Sequence, residues 1–183
     1  MGTISVHEFT TLDGVIDTPS WTMDYAFDPK MGQAIAGIMG ACRGILLGRR
    51  TWEMFAPAWA ARTADQDPGA PFMNDTPKYV VASTPTSVEW RNSTIVGPYR
   101  AETIRGLKER VDGGLYVSGS ATLVRAMLAD RLVDELHLFV FPVALGSGLR
   151  LFPEGGAPAT FDLASSETFE NGVVHLDLRP ARG

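Results

Sequence analysis

Apolar residues along the chain fall into short runs bounded by glycine, proline and small polar residues, and between these runs they recur at helical spacing. Residues 3–12 (TISVHEFTTL) alternate as a strand with Ile4, Val6 and Phe9 as core contacts, and Asp13-Gly14 ends it as a turn. Asp28-Pro29 reads as a helix N-cap followed by proline at the first helical position, and Ala34, Ile35, Ile38 and Met39 continue with a helical period. Gly44 is expected to break that helix, which puts Cys42 on its last turn and leaves Ile45-Leu46-Leu47 as a short buried strand. Gly48-Arg49-Arg50-Thr51 then leads into Trp52, Glu53 and Phe55, a strand–glycine–helix junction. Residues 60–74 read as a loop, with Asp67-Pro68-Gly69 and Pro71 as breakers. Residues 78–82 (KYVVA) form a strand ending at Ser83-Thr84-Pro85, residues 94–96 a short strand, and residues 101–111 a helix on Ile104, Leu107 and Val111.

A second strand–turn–helix junction follows. Leu115, Tyr116 and Val117 run into Ser118-Gly119-Ser120, and the helical pattern starts at once. Residues 135–141 form another apolar run, which reaches Pro142 and the glycine loop Leu145-Gly146-Ser147-Gly148. Two β-like runs, residues 161–169 and 173–178, flank Glu170-Asn171-Gly172, a strong hairpin signal. Strands alternate with helices through most of the chain, and nothing divides it. The expectation is one α/β domain over residues 1–183, with a mostly parallel sheet and a C-terminal antiparallel hairpin.

Composition narrows the partners. The 183 residues are 45% hydrophobic and 20% charged, ordinary for a soluble domain with a substantial core. A formal net charge of −5 gives no support for broad nucleic-acid binding. The lone Cys42 can build neither an intrachain disulfide nor a cysteine-cluster metal site. The start MGTISVHEF lacks a basic region followed by a long apolar stretch, and no run approaches the roughly 18 apolar residues of a membrane span. A cytoplasmic protein without membrane or nucleic-acid partners is expected.

The two junctions carry the candidate chemistry. A helix start presents unpaired N–H groups and positive dipole, which suits phosphate. Arg49 and Arg50 stand beside one start; Ser118, Ser120 and Thr122 crowd the other. The alternative is that glycine simply permits a tight turn at each. Neither junction matches a dinucleotide G-x-G-x-x-G or a Walker pattern. In a parallel sheet both would lie at the carboxyl ends of strands, where such folds bind ligands, and Ser83-Thr84 would end a third strand on the same rim. His7, His137 and His175 fall inside strands without metal-ligand spacing. Asp13, Asp17, Asp24 and Asp28 read first as loop or cap carboxylates, and the serines lack a hydrolase elbow. Trp21, Trp52, Trp59 and Met54 read as core before they read as a pocket for a planar ligand.

Taken together, these stretches resemble a known family. Leu47-Gly48-Arg49-Arg50-Thr51-Trp52-Glu53 resembles the dihydrofolate reductase element that cradles NADPH phosphates. Ser118-Gly119-Ser120 to Leu123, then Leu132-Val133-Asp134-Glu135-Leu136, then Pro142 to Gly148 and Leu151-Phe152, resemble the RibD C-terminal reductase domain of the bifunctional riboflavin-biosynthesis deaminase-reductase, and more so its stand-alone bacterial relatives. Thr11-Leu12-Asp13-Gly14-Val15-Ile16 fits the same group. The deaminase half is absent, and Trp21-Thr22-Met23 departs from the proline-tryptophan loop of true dihydrofolate reductases. The resemblance implies a three-layer α/β/α dihydrofolate reductase-like fold and an NADPH-dependent reductase acting on a small-molecule C=N or C=O group, in the manner of 5-amino-6-(5-phosphoribosylamino)uracil reductase. It implies cofactor contacts from Gly14, Val15 and Ile16 on a mobile loop over the nicotinamide, and from Gly48, Arg49, Arg50 and Thr51 at the pyrophosphate. Ser83 and Thr84 would stand near the adenosine 2′-phosphate, with Ser118, Gly119, Ser120, Ala121, Thr122 and Leu123 on the other side of the cradle. Asp28 or Asp13 is the nominee for a side-chain acid, and the resemblance suggests a homodimer. A second function class stays open: a nucleotide-binding or regulatory protein of this fold without turnover.

Overall fold

The computed structural model describes residues 2–84 and 89–181. Eight strands form one sheet in the order β4-β3-β2-β5-β1-β6-β8-β7. They are β1 (Ile4–Thr11), β2 (Cys42–Gly48), β3 (Lys78–Val81), β4 (Ser93–Gly97), β5 (Gly114–Ser118), β6 (Glu135–Phe141), β7 (Phe161–Thr168) and β8 (Val174–Pro180). The first six run parallel; β8 is antiparallel to both β6 and β7, and closes the hairpin that Asn171-Gly172 signals.

Period-two alternation feeds two cores, one on each face of the sheet. Ile4, Val6, Leu46, Leu115, Val117 and Leu136 point to one face, covered by α4 (Ala101–Arg110) and α5 (Ala121–Ala129). Ile45, Leu47, Tyr116, Phe139 and Phe141 point to the other, covered by the 3-10 turn Pro19–Asp24, α1 (Pro29–Gly40), α2 (Arg49–Trp59) and α3 (Ala70–Asp75). The layers are those of a dihydrofolate reductase-like α/β/α fold.

Three expectations change. Helix α1 stops at Gly40, and Cys42 opens β2 with its side chain buried, where burial pushes the thiol up to about 11. Gly44 lies inside β2 rather than ending a helix: a Cβ there would come within 2.8 Å of Leu115 Cδ2 and 3.0 Å of Tyr79 Cε2, so close approach of neighbouring side chains explains the glycine. Residues 60–74 are not wholly loop, because Pro71 sits in the first turn of α3 instead of breaking the chain. Buried Lys78 anchors the end of that helix, Nζ donating to the carbonyls of Met73, Asn74 and Thr76 at 2.8, 3.1 and 2.9 Å. Trp21 and Trp52 are core residues, Trp59 packs against them, and Met54 is exposed.

Candidate functional site

Strands β2 and β5 are sheet neighbours, so the helices that follow them start side by side. Neither α2 nor α5 has a side-chain cap, so the first N–H groups of both lack the partner a capping residue would supply. The contact between the junctions is tight. A Cβ on Gly48 would collide with Ser120 Oγ and stand 2.7 Å from Ser120 Cβ; one on Gly119 would lie 3.4 Å from Thr51 Cγ2. Gly119 (φ 78) and Ser120 (φ 65) are both left-handed, which turns the chain sharply from β5 into α5. The Ser120 side chain fills the space that a side chain at Gly48 would need, which brings the two helix starts, with their N–H groups, close together.

The rim continues on both sides. Beyond β2, Arg49 Nη1 donates to Thr84 Oγ1 at 3.0 Å. Arg49, Val81, Ala82, Ser83, Thr84, Pro98 and Tyr99 line a cavity of about 450 Å³. Arg50 is exposed on the first turn of α2, and Thr122 on that of α5; Ala121 and Leu123 are buried and can offer only backbone. Pro85 lies outside the described residues. Ser118 sits at the end of β5, opposite His7 of β1. Beyond β5, residues 13–17 are tied to the glycine loop: Val15 bridges Arg150, Ile16 N–H donates to Leu149 O at 2.9 Å, and Leu151 N–H donates to Gly14 O at 3.3 Å.

Past β1, a cleft of about 200 Å³ opens beneath the ends of β1 and β6, lined by Phe9, Thr22, Tyr25, Ala26, Phe27, Met31, Phe141 and Asn171. Phe141 is contacted edge-on by Phe9, Trp21 and Tyr25 at centroid distances of 5.5, 5.2 and 5.2 Å. Sequence reading named only Trp21 of this aromatic group as pocket material. The ends of β3, β2, β5, β1 and β6 thus form one rim of four strand spacings, roughly 19 Å long.

The two nominated carboxylates are heavily hydrogen-bonded. Asp28 is the N-cap of α1: Oδ1 accepts from the N–H of Lys30 (2.8 Å) and Met31 (3.2 Å), and Oδ2 accepts from the N–H of Glu170 (2.8 Å). Burial works to raise its pKa, but these three N–H groups outweigh it and hold the carboxylate below its usual range. Asp13 accepts from Thr11 Oγ1 (2.6 Å), Leu145 N–H (3.2 Å) and Gly146 N–H (2.8 Å); the threonine bond leads in pulling it down to about 2. His7, which the sequence presents as a strand residue, and Glu8, which it does not single out, carry the largest shifts on β1. Burial pushes His7 down to about 3, with its Nδ1 2.7 Å from the Tyr116 hydroxyl, and pushes Glu8 up to about 8.

Residues 3–175 match the family model of the RibD C-terminal domain. The uncharacterized protein YyaP of Bacillus subtilis (strain 168) is 25% identical over 170 residues, 91% of this chain and 88% of that protein. A protein of Shewanella sp. PV-4 superposes with a TM-score of 0.80 at 22% identity over the whole of both chains. The diaminohydroxyphosphoribosylaminopyrimidine deaminase/5-amino-6-(5-phosphoribosylamino)uracil reductase of Thermotoga maritima gives 0.69 at 17% identity, over 98% of this chain and 57% of that one. A dihydrofolate reductase of Enterococcus faecalis, solved with NADP(H), gives 0.60 at 14% identity over 99% and 98% of the two chains. At these identities the solved structures speak for the fold, and the family model for descent. The chain belongs to the RibD C-terminal domain family.

Proposed function

We propose that the protein is an NADPH-dependent reductase of a small molecule carrying a C=N or C=O group. The observation that carries this reading is the meeting of two uncapped helix starts, α2 and α5, across Gly48 and Ser120. A site built that way suits a pyrophosphate. The cavity at Arg49, Ser83 and Thr84 suits the adenosine end with its 2′-phosphate, and the rim beyond β5 leads to residues 14–16 and the aromatic cleft. The Enterococcus relative holds NADP(H), which supports the cofactor, and the Thermotoga relative is a 5-amino-6-(5-phosphoribosylamino)uracil reductase, which supports the reaction class. When bound, NADPH would supply the hydride.

The chain's own residues orient and enclose. Gly48 to Thr51 and Ser118 to Leu123 hold the pyrophosphate through backbone N–H, while the Arg49 guanidinium serves the 2′-phosphate at the Ser83 and Thr84 cavity. Residues 13–17, pinned by Asp13 and Arg150 to the glycine loop, cover the reacting end. Phe9, Tyr25, Phe27 and Phe141 offer ring edges and faces to a flat substrate and keep water from it. In this reading Asp28 shapes the cleft, because it caps the helix that carries Met31 and ties it to Glu170.

NADPH titration followed by nicotinamide fluorescence tests the reading, with Arg49→Ala and NADH in parallel. Loss of the Arg49 guanidinium should weaken NADPH by about tenfold, the size of one charged hydrogen bond, and leave NADH nearly unchanged. Absence of NADPH binding to the unaltered protein would remove the proposal. Binding without oxidation by a panel of imines and carbonyl compounds would move it to a nucleotide-binding protein without turnover.

A further inference from the structure

Glu8 is the one buried carboxyl among the described residues with an oxygen left unpartnered: it is 4% exposed, and its Oε1 has no hydrogen-bond partner. Strand alternation sends it to the face of Ile4 and Val6, under α5, and away from the aromatic cleft that receives Phe9. It therefore has no access to a substrate in that cleft. It does lie beside the turn into α5, since His7 pairs with Ser118 and the next N–H on that strand, from Gly119, faces the Glu8 carboxyl. So a carboxyl with an unpartnered oxygen sits beneath the very turn whose N–H groups would hold an anion.

Among the described residues no charged group explains its placement. Burial is the leading cause of its raised pKa, and only the Gly119 N–H pulls the other way. On β5, Tyr116 points to the opposite face of the sheet and feels the Glu8 charge only across it, and from β6 the register partner of Glu8 is Leu138. The turn and first residue of α5 bring Gly119, Ser120 and Ala121, all uncharged, while Arg125 of α5 is engaged with the carbonyls of Arg150 and Leu151. An ionised, half-satisfied carboxylate in such a place is costly.

We propose that Glu8 couples anion binding at the turn before α5 to the uptake of one proton. Ionised, the carboxylate competes for the Gly119 N–H and repels a phosphate arriving above it. Protonated, it releases that N–H to the anion and its neutral O–H no longer opposes the charge. The proton comes from solvent and ends on a Glu8 oxygen; no other bond is made or broken. The inference rests on the reading that a dinucleotide pyrophosphate occupies this turn.

Calorimetric titration of NADPH into the protein, in two buffers of different ionisation heat, counts the protons taken up on binding. At pH 9 the unaltered protein should take up close to one proton and at pH 6.5 almost none, and its affinity should fall above pH 8 toward tenfold per pH unit. Glu8→Gln, neutral at every pH, should bind with no proton uptake at pH 9 and a flat affinity across the range. Binding by the unaltered protein at pH 9 without proton uptake would overturn the role of Glu8 and leave the cofactor reading standing. Absence of binding at every pH, in heat and in nicotinamide fluorescence, would overturn both. The unaltered protein alone decides between these outcomes if Glu8→Gln does not fold.

Discussion

Asp28 shows how one residue serves several levels of structure. Its sequence neighbour Pro29 marks it as a helix N-cap, and its Oδ1 takes the Lys30 and Met31 N–H groups as that position requires. Its Oδ2 accepts from Glu170, 142 positions later, at the turn between the two strands of the hairpin. A side chain that both starts α1 and anchors the hairpin turn fixes two walls of the aromatic cleft, Met31 and Asn171. Asp28→Asn keeps the size but points an amide N–H at one of the donor N–H groups. The expected result is a melting temperature lower by on the order of 2–4 °C with the fold intact, read by circular dichroism. An unchanged melting curve would show that the Glu170 contact holds nothing in place.

At the level of elements, the meeting of two junctions depends on what is missing at Gly48. A methyl group there strikes Ser120, and the backbone must part to admit it. Gly48→Ala should therefore weaken NADPH by tenfold or more and lower stability by about 1–3 kcal/mol. Gly37→Ala, where the added methyl meets nothing within 4 Å on α1, should leave binding unchanged and raise stability by about 0.5–1 kcal/mol. Equal losses from both would show that the Gly48 effect is not local to the cradle. Each junction was legible in the sequence, as were β6 and the hairpin, because glycine and apolar period are local signals. Their adjacency was not, since it follows from β2 pairing with β5, strands some seventy residues apart. Helix α3 was missed because Pro71 reads alike as a breaker and as a residue of a helix's first turn. Glu8 was passed over for a similar reason: in TISVHEFTTL a glutamate between His7 and Phe9 reads as a solvent-facing position, and only helices on both sides of the sheet bury it.

For the whole molecule, those two buried neighbours on β1 make stability depend on pH in opposite senses. His7 titrates near 3 when folded against 6.5 when free, chiefly because burial disfavours the imidazolium. Between these values the unfolded chain binds more protons, so stability falls as pH drops below about 6.5. His175 is lowered as well, first by burial, and acts in the same sense. Glu8 is the reverse: folded near 8 against 4.5 free, it makes the native state the greater proton binder in that window, so stability falls as pH rises from 4.5 to about 8. Between 4.5 and 6.5 the slopes of His7 and Glu8 offset each other. Between 6.5 and 8 Glu8 acts without that opposition and can remove at most about 1.4 kcal/mol per pH unit, about 2 kcal/mol in all. Urea unfolding at half-unit steps should therefore show an optimum near pH 6 and a decline toward 8. In Glu8→Gln the alkaline decline should vanish while the acid loss from His7 persists and, freed of its counterweight, begins directly below pH 6.5. A decline from 6.5 to 8 of equal size in both proteins would mean that Glu8 is already ionised in the fold, and that the carboxyl under the turn is held by something other than its proton.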